Sequence, residues 1–183
     1  MYLRVLTVFL LITQNVLYAG EIEHATVRYD QGIYTVDIDL VINAEQSAVW
    51  KIVTDYDHLD RLSDTITESK ILHRDTEIIT TRIVTTSCFL FFCFGATLVE
   101  DVQELDSTTI HTTIDASQSD FDFGTTQWQI MPFEKDRTHI LYTSRRKPTF
   151  WVPPFIGPAL IKHKMLSETK KFMQQLEILA IHG

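Results

Sequence analysis

Three observations predict an α+β domain in which a curved antiparallel sheet of about seven strands wraps on one long C-terminal helix. Residues 33–42, IYTVDIDLVI, alternate with period two: Tyr34, Val36, Ile38, Leu40 and Ile42 fall on one face, Asp37 and Asp39 on the other. Between residues 67 and 145, short runs rich in Thr, Ile and Val are separated by turn residues, a pattern that favours strands. At the end, Ile161, Met165, Thr169, Phe172, Leu176 and Leu179 form an apolar stripe at helical spacing, opened by Pro158, a residue suited to a first turn.

The elements follow in order. Residues 22–30 and 33–42 read as two strands joined at Asp30-Gln31-Gly32. Asn43 then reads as the cap of a helix, AEQSAVWKIVTDY, with Ala48, Val49, Ile52 and Val53 on its inner side and Trp50 beside them. The acidic span DYDHLDRLSD reads as a short helix or a broken turn, a solvated face rather than an ion site. Strands are expected over 67–73, 77–86, 89–102, 108–116, 124–130 and 139–145. In QSDFDFGTTQW, alternation puts Asp120 and Asp122 on one face and Phe121 and Phe123 on the other. A sheet of this size curls, and one amphipathic helix covers only part of its concave apolar face. The uncovered remainder is a natural cavity for an apolar ligand.

The first 19 residues, MYLRVLTVFLLITQNVLYA, have a basic start, a short apolar run and a small-residue exit. That is the layout of a secretory signal peptide, with cleavage after Ala19; an uncleaved anchor is the alternative. The domain is then residues 20–183, long enough to bury a core without metals. The whole chain carries a formal charge of −8, which argues against nucleic acid as a partner. Residues 20–133 hold 20 acidic and 6 basic side chains, whereas residues 134–171 hold 3 and 9. The basic C-terminal quarter can lie near anionic headgroups, or can be an ordinary solvated face.

The stretch AVWKIVTDYDHLDRLSDTITESKIL (residues 48–72), together with FGTTQWQIMP (residues 123–132) and the long final helix, resembles the START-like (SRPBCC) helix-grip superfamily. Within it, the resemblance is to the polyketide-cyclase and coenzyme-Q-binding branch, in an exported bacterial subgroup without an assigned reaction. It implies a helix-grip fold and a cavity for a hydrophobic small molecule, lipid or quinone. The family's usual proline after the short helix is absent here: Leu62-Ser63-Asp64 stands in its place.

Residues 87–94, SCFLFFCF, raise a separate question. In a continuous strand Cys88 and Cys93 would face opposite ways, about 17 Å apart. A disulfide between them therefore requires the strand to break into a tight loop around Leu90-Phe91; two buried thiols are the alternative. The spacing is not that of a zinc or redox site, and no metal is expected. The apolar tip needs cover, from the segment Phe150–Ile156, a membrane surface or a ligand.

No phosphate loop, GxSxG elbow or HExxH site is present in the sequence, and no cofactor is expected. The ligand-lining expectation rests on Trp50, Phe89, Phe91, Trp128, Phe155, Ile161, Met165 and Phe172. His111 and Asp115 are the candidates for a base, with Arg82 or Arg145 as an oxyanion partner; His139, too, can face the cavity. The reading is an exported, periplasmic protein that binds a hydrophobic small molecule or lipid without covalent chemistry. A cyclase or aromatase on the same fold is one alternative, and an envelope interaction protein with a filled core is the other.

Overall fold

The computed structural model describes residues 20–89, 92–150 and 158–182. Eight strands form one antiparallel sheet: β1 (Glu21–Asp30), β2 (Ile33–Ile42), β3 (Ile66–Arg74), β4 (Ile79–Phe89), β5 (Phe92–Glu104), β6 (Thr109–Ile114), β7 (Phe121–Phe133) and β8 (Arg137–Pro148). Helix α1 (Gln46–Val53) and a single 3-10 turn (Leu59–Leu62) lie between β2 and β3, and α2 (Pro158–His182) closes the chain. The strand order is β1-β2-β8-β7-β6-β5-β4-β3. All neighbours but β2 and β8 are consecutive in sequence, so the helical segment carries the chain from the strand next to one edge of the sheet to the opposite edge.

The sheet is curved for a local reason. Its register slips at Ile22/His24, Ile66/Glu68, Ile71/His73 and Phe121/Phe123. Each extra residue bends its strand and increases the local twist. The first hairpin turns at Gln31 and Gly32, both at positive φ, the backbone that a tight two-residue turn requires.

The helices occupy the concave side. Val49, Ile52 and Val53 of α1 and Met173 and Leu176 of α2 join Leu40, Ile42, Ile130 and Ile140 of the sheet in one core. Ile42, Ile130 and Leu176 are completely buried. The alternation expected for β2 holds: Leu40 and Ile42 are core, while Asp37 and Asp39 bond to Thr143 and His139 on the convex side. This is the helix-grip arrangement expected from the sequence, with eight strands where about seven were expected.

Two local expectations need correction. Asn43 does not cap α1, which begins three residues later with Glu45 in the cap position. The Asn43 backbone N–H instead donates to Glu177 Oε1 at 2.9 Å, fastening the end of β2 to α2. The bulge at Phe121–Phe123 also separates two rings that simple alternation puts on one face. Phe121 turns to the concave side, while Phe123 is exposed beneath the Arg145 guanidinium.

The apolar stretch breaks where a disulfide needs it to. β4 ends at Phe89 and β5 starts at Phe92, which makes Cys88 and Cys93 direct cross-strand partners, joined as a disulfide.

Candidate functional site

Between the concave sheet and the helices lies a cavity of about 210 Å³. Its wall is mostly apolar, with Leu62, Ile83, Leu98, Val102 and Ile110 among the lining side chains. Trp128 forms an aromatic floor: its ring meets Tyr142 edge-on at 4.6 Å between centroids and lies 6.2 Å from Phe172 of α2. These residues converge because β4 to β8 turn alternate side chains inward along a bent sheet.

One polar cluster interrupts the apolar wall. Glu100 of β5 is 6 % exposed and points inward. Thr112 Oγ1 donates to its Oε2 at 3.0 Å, and Arg146 Nη2 stands 3.7 Å from the same oxygen. Arg146 also donates to Thr126 Oγ1 at 3.4 Å, and Thr126 donates in turn to Ser144 Oγ at 3.2 Å. Arg146 Nε is buried without a partner among the described residues. The cavity wall thus carries an unmet donor on an ion pair whose charges offset, a setting suited to a neutral polar group on an otherwise apolar ligand.

At the other end of the wall, Tyr56 donates its hydroxyl to Glu104 Oε1 at 3.1 Å. Burial pushes the Tyr56 phenol well above its ordinary range, and the neighbouring Glu104 carboxylate adds to the shift. Tyr56 is therefore a fixed hydrogen-bond donor and not an acid-base group near neutral pH.

Trp128 and Phe172 stand in the cavity wall. Trp50, within α1, packs against the core and does not line the cavity. Met165 lines a second pocket next to it, of about 230 Å³, with Val36, Phe121 and Phe150. Phe91 and Phe155, and the side chains of Phe89 and Ile161, lie outside the described residues.

The four candidates for acid-base work lie elsewhere. His111 alternates with Ile110 and Thr112, which line the cavity, and so faces the convex side. Arg82 alternates with Thr81 and Ile83 and stands near Glu68 on that same outer face. Arg145 covers the exposed Phe123 ring. Asp115 holds a turn, accepting from the Ser117 hydroxyl, Gln118 and the Ser117 N–H, and these bonds keep its carboxyl below the usual carboxylate range. The inward-facing pair is Glu100 and Arg146. Ile140, Tyr142 and Ser144, at every second position before Arg146, carry the signal that would have found it; Arg145 is out of phase with them.

His139 also faces the convex side, hydrogen-bonded to Asp39. The bulge at Ile22/His24 brings Glu23 beside them, so that the three residues offer ligand-type atoms within 4.8 Å of one another. Glu23 is exposed, and the Asp39–His139 pair is complete without an ion.

Among known proteins, residues 42–163 match the family described as polyketide cyclase / dehydrase and lipid transport. A comparison with curated proteins found no relative by sequence. Solved structures share the fold at low identity. A protein from Thermus thermophilus superposes with a TM-score of 0.65 at 17 % identity, covering 80 % of this chain and 97 % of its own. A START superfamily protein from Mycobacterium smegmatis gives 0.62 at 18 %, with 80 % and 97 % covered. The Zhui aromatase/cyclase from Streptomyces sp. R1128 gives 0.56 at 11 %, with 81 % and 92 % covered. A matched span of two-thirds of the sequence, on an eight-stranded helix-grip sheet with a hollow concave face, places this chain in the polyketide cyclase / dehydrase and lipid transport family.

Proposed function

We propose that this protein binds a hydrophobic small molecule in the cavity between its curved sheet and helices, without covalent chemistry. The observation that carries the reading is the hollow itself: a largely aliphatic and aromatic wall around about 210 Å³, where a fully packed core would leave few voids beyond water size. An apolar cavity of roughly 150 Å³ already takes up benzene. Occupation by a ring or short chain would return the contacts that the empty wall lacks.

Residues 1–19 act in this proposal as a secretory signal, so the carrier works outside the cytoplasm, in the periplasm of a bacterium and beside its membranes. It stands with the exported members of the family whose reaction is unassigned. Two features support that setting: the leader-like sequence and the disulfide on the β4–β5 hairpin, a bond that persists in oxidising compartments. N-terminal sequencing of protein from the envelope fraction should begin at Gly20; a start at Met1 removes the secretory reading.

The binding test is a titration with N-phenyl-1-naphthylamine, a neutral probe that brightens in apolar surroundings. Saturable binding at one site is expected, weakened at least tenfold by Ile83→Trp, which fills the cavity from its wall. Unchanged affinity in that variant puts the probe elsewhere and removes the cavity as the site.

One observation favours a second reading, a cyclase-type enzyme. Glu100 is a buried carboxylate beside a guanidinium, which could accept a proton from a carbon next to a carbonyl while Arg146 holds the oxygen. A ligand recovered chemically altered from the wild type, and unaltered from Glu100→Gln, would select this reading over the carrier.

A further inference from the structure

The inner cavity and the neighbouring pocket share two residues, Tyr142 and Arg146. On the inner side of this pair lie Trp128, Val102 and Ile110; on the outer side lie Val36, Phe121 and Met165. Both chambers are mainly apolar and of similar size, about 210 and 230 Å³. The unpartnered donor stands at the boundary, on Arg146. Among the described residues, Arg146 Nε is buried with no partner, and Glu100 stands beside Arg146 on the inner side. Phe121 fixes this layout: the bulge that turns it inward sets its ring 6.0 Å from the Arg146 guanidinium, so the same cation borders both chambers.

We propose that one ligand occupies both chambers, and that it is a neutral, elongated molecule with an apolar group at each end and a hydroxyl or carbonyl near its middle, read by Arg146 and Glu100. This rests on the cavity being a binding site. An ionised head is not called for, because the Arg146 charge is offset by Glu100 at 3.7 Å. A polar group at one end of the ligand would leave the buried Arg146 donor at the boundary unmet.

Two isomers test this on the wild-type protein: 1,3-diphenylpropan-2-ol, with its hydroxyl in the middle, and 4-(3-phenylpropyl)phenol, with its hydroxyl at one end. Isothermal titration calorimetry should give the central alcohol about tenfold or more higher affinity, the size expected for satisfying a buried polar group. Arg146→Met should erase the preference. Val36→Phe, which narrows the outer chamber, should weaken the two-ring alcohol while leaving toluene binding in the inner chamber unchanged. Equal affinity for the two isomers, or tighter binding of the terminal phenol, overturns the central reading of the polar group. Binding of toluene alone overturns the two-chamber occupancy but leaves the cavity as a site. Binding of no compound removes the cavity reading, and this proposal with it.

Discussion

Glu100 is the residue on which the interior depends. It lies almost wholly out of water, with Thr112 as its one side-chain donor among the described residues and Arg146 as the nearby cation. Replacing Arg146 by Met leaves that carboxylate with half its support, and should cost about 1–3 kcal/mol of stability in urea unfolding. A loss within experimental error would mean that the guanidinium does not support Glu100. Tyr56 gives a pH signature. Its folded-state pKa lies above the ordinary 10.0, so above about pH 10 the unfolded chain gives up a proton that the folded chain keeps. Stability is therefore complete below pH 10 and falls as pH rises beyond it, by up to about 1.4 kcal/mol per pH unit from this group. Tyr56→Phe should flatten that part of the alkaline limb, and an identical pH profile in the variant would contradict the assignment.

At the scale of elements, irregularities in the strands decide what the cavity contains. The bulge in β7 sends Phe121 inward and Phe123 outward. Just beyond it, Gly124 passes so close to β6 that a Cβ there would run into Ile114. Gly124→Ala should accordingly destabilise the protein by about 1–3 kcal/mol, through overpacking and not through backbone strain. The β4–β5 hairpin is held by a disulfide across a sequence separation of only 5. So short a loop confers about 2 kcal/mol by chain entropy. Cys88→Ser with Cys93→Ser should speed amide exchange near the hairpin end first, with the β7–β8 core unaffected. Uniform loss of protection across the sheet would show that the bridge supports the whole fold.

For the whole molecule, the succession of strands along the chain and the covering helix were legible because they depend on periodicity and turns; the pairing of β2 with β8 was not. The inward face of β2 and the start of α2 at Pro158 follow directly from pattern. The residues of the polar cluster were not legible, for identifiable reasons. In β5 both Leu98 and Val99 are buried, one toward the cavity and one on the other face, so apolar spacing does not tell which way Glu100 points. In β8 two adjacent arginines compete, and the alternation through Ile140, Tyr142 and Ser144 that favours Arg146 is interleaved with the equally apolar Leu141. Bulges add a residue that no period-two reading contains, which is why Phe121 and Phe123 were placed together.

The central claim is that the hollow holds a ligand. Native mass spectrometry of the protein isolated from cells that produce it, followed by denaturation and extraction into organic solvent, tests that claim most directly. The account predicts one added mass per chain, released on unfolding and recovered as a neutral apolar compound. A native mass equal to that of the bare chain, together with no uptake of apolar compounds added afterwards, would contradict it.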